Sequence, residues 1–200
     1  MIELELKAVV PKLSTTRERV EAAGALLSFA GRLEDTRYDQ PDQGLAARDI
    51  VLRLRVYRDI SDLVSSVSLD WKGPSRLNDG YKQREELNAY AGADPEAMAH
   101  ILERLGFIVT MRIDREIWQY DLRGAIVRFE HYPRMDDLVE VEGAPTAIEE
   151  AIRVLALPRA SFTPERLPDF VRRFEARTGQ TAALSDAELA GTVRYDVSNA

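Results

Sequence analysis

Acidic and basic side chains alternate with leucines at the start of the chain, in the sequence Glu3-Leu4-Glu5-Leu6-Lys7. Successive side chains of an extended strand point to opposite faces, so Glu3, Glu5 and Lys7 share one face. Two carboxylates at this spacing suit a divalent cation, and an ammonium group beside them suits an anion. The pattern is therefore typical either of a site for a metal-bound phosphate ligand or of an ordinary strand with its polar face in water.

The same alternation recurs on later segments. Charged side chains share one face of each segment, and aliphatic or aromatic side chains share the other. Arginine pairs and glutamate pairs dominate these faces and cluster by sign, whereas the solvent face of a strand is usually mixed. The residues on the charged faces are Arg53, Arg55, Asp70, Lys72, Lys82, Arg84, Glu86, Arg128, Glu130, Glu140 and Glu142.

Strands that would position these residues are predicted from the period-two pattern. The last quarter instead has helical spacing, because Leu167, Phe170 and Phe174 fall on one stripe of an amphipathic helix that ends near Gly179. This helix is expected to cover its own barrel or a second subunit, so a homodimer is one expectation. The predicted strands are residues 2–9, 29–38, 50–57, 64–72, 81–90, 107–120, 125–131 and 138–142.

Shorter helices are predicted by their start signals. Thr15 with Glu18, and Thr146 with Glu149, have the spacing of a capping box, and the Asp-Pro pair at 94–95 is typical of a helix start. With no repeat or linker, residues 1–179 are predicted to form one domain and residues 180–200 an appendage.

Composition excludes several classes of protein. The absence of cysteine among 200 residues excludes disulfides and thiolate metal sites, and two histidines, His100 and His131, make a histidine-rich zinc site unfavourable. Any metal must therefore be held by oxygen. The net charge of −7 argues against nucleic acid as a partner. With neither a long apolar run nor a signal segment, the sequence predicts a cytoplasmic protein without membrane contact.

Two architectures fit the charged faces. An open sheet would expose them to water, whereas a closed barrel of about eight strands would turn them inward and leave the apolar faces to helices. The clustering by sign favours the barrel. Packed arginines and packed glutamates inside it would each cost several kcal/mol without a ligand. A triphosphate with a divalent cation satisfies both groups, because guanidinium groups bind phosphate oxygens and carboxylates bind hard cations.

Short motifs in a fixed order carry a family resemblance over residues 1–157. They are ELELK at 3–7, DTRYD at 35–39, RLR at 53–55, WKG at 71–73, REE at 84–86, DREIW at 114–118 and EVEG at 140–143. This set resembles the CYTH superfamily, the triphosphate tunnel metalloenzymes, which includes class IV adenylyl cyclases, thiamine triphosphatases and inorganic triphosphatases. The resemblance implies an α+β fold: a closed antiparallel eight-stranded β-barrel tunnel with flanking helices.

The resemblance also implies roles for individual residues, with Mg²⁺ or Mn²⁺ as cofactor and a small-molecule triphosphate as substrate. Catalytic roles are implied for Glu3, Glu5, Glu130 and Glu142. The implied metal ligands are Glu3, Glu5, Glu86, Glu130, Glu140 and Glu142, and the implied phosphate-binding residues are Lys7, Arg53, Arg55, Lys72, Arg84, Arg115 and Arg128.

The chain departs from the family pattern at two positions. The first is a basic position on the sixth predicted strand. Members commonly have a basic residue two before Arg115, where this chain has Ile113. Either Arg128 replaces that residue, or a bulge turns Arg112 inward.

The second departure is at the carboxylate that usually precedes the final ExE motif. Glu130, Asp136 and Asp137 are all candidates, and Glu130 is favoured because it shares a strand face with Arg128. The family constellation is compatible with hydrolysis of a triphosphate, which we favour, and with cyclisation of ATP. A non-catalytic polyphosphate-binding module is a further alternative.

Overall fold

Nine strands and five α-helices occur in the part of the computed structural model that is described, residues 2–90, 92 and 94–196. The strands are β1 (Ile2–Val9), β2 (Leu26–Asp39), β3 (Val51–Asp59), β4 (Val64–Lys72), β5 (Arg76–Asn78), β6 (Tyr81–Tyr90), β7 (Ile108–Leu122), β8 (Ala125–His131) and β9 (Leu138–Gly143). The helices are α1 (Leu13–Ala22), α2 (Pro95–Arg104), α3 (Pro145–Leu155), α4 (Leu167–Thr178) and α5 (Asp186–Leu189).

Eight of the strands close into an antiparallel barrel. They follow the order β1-β9-β8-β7-β2-β3-β4-β6, and β6 pairs back onto β1, with Glu5 opposite Lys82. The three-residue strand β5 was not predicted, and it extends the sheet by pairing with β6. The prediction of a closed eight-stranded α+β barrel with flanking helices is confirmed.

Helices cover the apolar outer faces of the strands. On one side, Leu6 and Val141 of the barrel pack with Ile148 and Ile152 of α3. On another side, Leu54 of β3 packs in a cluster with Leu102 of α2. Because these outer faces are buried under helices, the opposite faces of the same strands line the lumen. The inward orientation of the charged faces follows from this arrangement.

Helix α4 packs against the barrel near one end of the lumen. Ile113 and Leu138 share strand faces with Arg115 and Glu140, but they lie nearer the end of the lumen. There they pack in one buried cluster with residues of α4 and of the segment that follows it. We call α4 and this segment, residues 167–184, the cap. Its residues in the cluster are Leu167, Phe170, Val171, Phe174, Ala182 and Leu184.

The cap accounts for two sequence features. The apolar stripe of α4 packs against the chain's own barrel, and Gly179 ends the helix with a positive φ of 70°. Buried residues 182–184 fall within the segment predicted as an appendage, and Ala183 forms a β-bridge with Arg134. No helix within the described residues has both the length and the apolar character needed to span a membrane.

Both predicted capping boxes are wrong, whereas the Asp-Pro start is confirmed. α1 begins before Thr15 and α3 begins before Thr146, so both threonines lie inside their helices. Pro145 at the first position of α3 has the fixed φ that a helix start favours, which explains the earlier beginning. Asp94 does cap α2, because its side chain accepts a hydrogen bond from the Ala97 N–H at 2.9 Å.

Candidate active site

Three carboxylates meet where β1 pairs with β9. Glu5 lies opposite Glu142 in this pairing, and Glu3 lies two residues along the same face of β1. One oxygen from each of the three lies within 4.8 Å of the others. We call Glu3, Glu5 and Glu142 the carboxylate cluster. An all-oxygen donor set of this kind matches the preference of hard divalent cations such as Mg²⁺ and Mn²⁺.

The pKa values of the carboxylates in and beside the cluster are shifted in opposite directions. Burial would raise the pKa of Glu5, but Lys7 and Lys82 hold it below its usual range. Burial, opposed by Arg128 and reinforced by Glu140, raises the pKa of Glu142 well above its usual range. Burial and the neighbouring Glu3 raise the pKa of Glu86 to about 7. A divalent cation beside Glu142 and Glu86 would favour their charged forms, which burial and the neighbouring carboxylates disfavour. The residues present therefore fit a metal ion.

Lysines flank the carboxylates inside the lumen. Lys7 lies 3.0 Å from Glu5 and also pairs with Glu140, and these two carboxylates raise the pKa of Lys7 against the opposing effect of burial. Lys82 contacts Glu5 at 2.5 Å. Lys72 pairs with Glu86, another residue of the charged lumen. Both signs of charge are thus present within one site, as the alternating pattern predicted.

Arginines of β3 and β7 form the second part of the site around two buried aspartates. Arg55 Nε donates to Asp35 Oδ1 at 2.9 Å, and Arg115 Nη1 donates to Asp35 Oδ2 at 2.6 Å. Arg53 Nε donates to Asp70 Oδ2 at 3.2 Å. We call these five residues the arginine network. Within the described part of the chain, Arg55 Nη2 is buried without a hydrogen-bond acceptor, so it has a donor available for an anion.

Glu130 lies in contact with the arginine network. Its Oε1 accepts from Arg115 Nε at 2.9 Å, and its Oε2 accepts from the Tyr132 hydroxyl at 2.6 Å. Both oxygens therefore have protein donors, and Glu130 is not one of the three residues of the carboxylate cluster. Its catalytic and metal-binding roles remain predictions, while the geometry gives it a clear task in orienting Arg115.

Arg128 and Arg84 occupy separate positions in the cavity wall. Arg128 Nη1 donates to Glu140 at 2.7 Å and to Glu142 at 3.3 Å. Arg84 donates instead to backbone carbonyl oxygens, that of Gly73 at 2.7 Å and that of Asp49 at 2.8 Å. Arg84 also lies 3.7 Å from the Asp49 carboxylate. This ion pair is longer than those of Arg128 with Glu140 and Glu142, so the positive charge of Arg84 is less neutralised than that of Arg128.

Every predicted site residue faces the lumen or its wall. The structure also shows how β7 accommodates Ile113, where family members commonly have a basic residue. Arg112 is exposed on the outer face, so the proposed bulge that turns it inward is wrong. Ile113 packs beneath the cap, which explains its apolar character. Sequence reasoning assigned no role to several residues that line the cavity or complete its networks. These are Asp35, Arg37, Asp70, Lys82, Tyr132 and Arg166.

The replacement Asp35→Asn is expected to lower the free energy of unfolding by about 3 kcal/mol near neutral pH, because Arg55 and Arg115 lose their shared charge partner. Burial alone would raise the pKa of Asp35, but Arg115 and Arg55 hold it well below its usual range. A depressed pKa stabilises the fold above the unfolded value of about 3.9, and this stabilisation is lost as the pH falls through the folded-state pKa. The difference in the free energy of unfolding between wild type and variant should therefore be smaller in acid.

Urea unfolding of both proteins at about pH 7 and about pH 2.5 measures that difference. Asp121→Asn is the matched control, because Asp121 is exposed on β7. A difference that did not change with pH would contradict a charge-based role for Asp35.

A carboxylate cluster and buried arginines and lysines line the lumen of one closed antiparallel barrel. The family model for the CYTH domain matches residues 1–154, which include all strands of the barrel. The chain therefore belongs to the CYTH domain family, whose enzymes are triphosphatases or adenylyl cyclases. No curated protein matches the chain in sequence.

Solved structures share this fold at low sequence identity. A conserved hypothetical protein from Pyrococcus furiosus is 20% identical, with a TM-score of 0.67 over 84% of this chain and 99% of that one. A candidate adenylate cyclase from Vibrio parahaemolyticus is 16% identical, with a TM-score of 0.69 over 86% and 98% of the two chains. A candidate adenylyl cyclase from Hippeastrum, described as having a dominant triphosphatase activity, is 17% identical, with a TM-score of 0.60 over 92% and 98%.

Proposed function

We propose that the protein is a divalent-metal-dependent enzyme that hydrolyses a triphosphate, with inorganic tripolyphosphate, a nucleoside triphosphate or thiamine triphosphate as candidate substrates. The observation that carries the proposal is one cavity lined by Glu5 of the carboxylate cluster and by Arg53, Arg55 and Arg115 of the arginine network. A triphosphate with Mg²⁺ or Mn²⁺ satisfies both sets of side chains at once.

The chain's own residues would position the triphosphate for in-line attack by water on its terminal phosphorus. Arg53, Arg55 and Arg115 would bind phosphate oxygens and stabilise negative charge that develops on them. Asp35 accepts from Arg55 and Arg115, so it fixes the directions in which the two guanidinium groups donate. The carboxylate cluster would hold the cation, which when bound supplies Lewis acidity toward the phosphoryl oxygens.

Cyclisation of ATP is the second candidate, with the ribose 3′-hydroxyl as nucleophile and pyrophosphate as leaving group. It is supported by the descriptions of two structural neighbours as candidate adenylyl cyclases. Hydrolysis is preferred because it needs only the triphosphate-binding residues, whereas cyclisation also needs a nucleoside pocket. A non-catalytic polyphosphate-binding module would not require a carboxylate cluster, whereas Glu3, Glu5 and Glu142 form one here.

The test is incubation with tripolyphosphate, ATP and thiamine triphosphate, each with Mg²⁺ or Mn²⁺, followed by detection of phosphate, pyrophosphate and cyclic AMP. Phosphate release that stops on addition of EDTA supports the phosphohydrolase. Cyclic AMP with stoichiometric pyrophosphate would identify the cyclase. Binding of these ligands without any turnover would favour the non-catalytic module.

A further inference from the structure

An arginine from outside the matched family region reaches the cavity. Arg166 immediately precedes α4 and lines the same cavity as Arg37 and Arg84, although it lies beyond residues 1–154. Its side chain is 49% exposed, whereas that of Arg53 is 9% exposed. This gradient of exposure shows where the cavity opens to solvent. We call the end lined by Arg37, Asp49 and Arg166 the mouth.

Asp49 pairs with Arg166 at the mouth and also has hydrogen-bond donors other than Arg166. Arg166 Nη1 donates to Asp49 Oδ1 at 3.2 Å. The other oxygen of Asp49 accepts from the backbone N–H and the hydroxyl of Ser75, at 2.7 and 2.6 Å. Asp49 keeps these two donors if Arg166 moves, and a half-exposed ion pair contributes little to stability. Arg166 is therefore able to exchange its carboxylate partner for a phosphate at a small cost in free energy.

The mouth carries more positive charge than its carboxylates neutralise. Burial and the guanidinium of Arg53 lower the pKa of Arg37 to about 10, against the opposing effect of Asp35. Asp39, the next carboxylate along β2, accepts hydrogen bonds from the backbone N–H groups of residues 40, 45 and 46. Arg84 lies 3.7 Å from Asp49 Oδ1, the oxygen that also pairs with Arg166, so one carboxylate serves two guanidinium groups. The side chains at the mouth therefore form an anion site distinct from the carboxylate cluster on β1 and β9.

The charge of a phosphate depends on whether it is esterified. A terminal phosphate carries roughly −1.5 to −2 near neutral pH, with a second pKa of about 6. A phosphate inside a chain, or one esterified to a nucleoside, lacks that second ionisation. In a triphosphate whose reacting end lies at the carboxylate cluster, the other end is a free phosphate in tripolyphosphate but an esterified phosphate in ATP. A surplus of positive charge favours the free phosphate.

We infer that Arg166 is a specificity-determining residue that binds the free terminal phosphate of a linear polyphosphate at the mouth and favours tripolyphosphate over nucleoside triphosphates. The inference rests on the proposed function, since it assumes that a triphosphate occupies the tunnel. It assigns a substrate-binding role to the segment that also supplies the cap.

The test compares wild type with Arg166→Gln, using tripolyphosphate and ATP. Loss of one charge-assisted hydrogen bond is expected to raise KM for tripolyphosphate about tenfold and KM for ATP less than about threefold, with kcat changed less than about twofold. Arg166→Lys, which keeps the charge, should recover part of the preference. The hydrogen bond that caps α4 runs from the Arg166 backbone N–H to Asp169, so neither replacement removes it.

Arg172→Gln is the matched control, because Arg172 lies on α4 and pairs with Asp169 away from the cavity lining. It should leave both KM values unchanged. Equal rises in KM for the two substrates on Arg166→Gln, or no rise in either, would overturn the inference.

Titration calorimetry in EDTA separates this inference from the proposed function. If the wild type hydrolyses neither these two substrates nor thiamine triphosphate, the proposed function fails, but binding still decides the role of Arg166. Tighter binding of tripolyphosphate than of ATP, with the difference lost in Arg166→Gln, would support it. Equal affinities in the wild type, or a difference that survives the replacement, would overturn it.

Discussion

Glu5→Gln is expected to lower metal-dependent turnover about 100-fold. Glu5 belongs to the carboxylate cluster and faces Glu142 across the β1–β9 pairing. The amide keeps the shape of the side chain but removes a charged ligand, so the apparent affinity for Mn²⁺ should fall as well. Steady-state rates across a Mn²⁺ titration measure both effects. Saturating Mn²⁺ should restore only part of the rate.

Glu85→Gln is the control for this replacement. Glu85 is exposed and lies on β6, next to the lumen residues Arg84 and Glu86. The same change of charge on the outer face should alter turnover less than about twofold, because water screens it from the lumen. Similar losses in Glu5→Gln and Glu85→Gln would show that the carboxylate cluster has no special role.

Arg55→Ala is expected to weaken tripolyphosphate binding about 10- to 100-fold and to lower the free energy of unfolding by about 3 kcal/mol. The loss of affinity follows from its buried Nη2, which lacks a hydrogen-bond acceptor within the described residues. The loss of stability follows because Asp35 keeps Arg115 but loses the donor at its other oxygen. Titration calorimetry in EDTA and urea unfolding measure the two effects separately.

Arg58→Ala provides the matched comparison on the same strand. Arg58 pairs with Glu34 in a partly exposed position, where an ion pair contributes about 0.2–1 kcal/mol. It should leave tripolyphosphate affinity unchanged. If Arg58→Ala and Arg55→Ala weakened binding equally, the affinity would come from the overall charge of the protein and not from the arginine network.

The strand pattern was enough to predict most of the barrel and a lumen lined by both acidic and basic side chains. Glu3, Glu5 and Lys7 face inward as their alternation indicated, and so do Arg53 and Arg55. The reason is physical: with a period of two, the apolar face of each strand fixes the direction of the charged face as soon as helices cover it. The covering helices were also recognisable, because α4 has a strong apolar stripe.

The pairs inside the lumen could not be predicted in the same way. Asp35 meets Arg55 because of the β2–β3 register, and meets Arg115 because of the β2–β7 register. The second register includes a shift between Arg37 and Tyr38, which no periodicity indicates. Arg166 reaches the cavity from outside every strand, so its role depends on how the cap packs. Such contacts come from tertiary structure and leave no local signal.

Barrel closure has a consequence for the order in which the protein can be made. β1 pairs with β6 on one side and with β9 on the other. Glu3 and Glu5 are synthesised before Glu142, so the three carboxylates come together only after β9 has been made. A nascent chain that ends before β9 already contains β2, β3, β4 and β7, and with them the arginine network, but it lacks a complete carboxylate cluster. Contacts this distant in sequence form late and slowly. High-affinity metal binding would therefore report on completed chains and remain undetectable in partial ones.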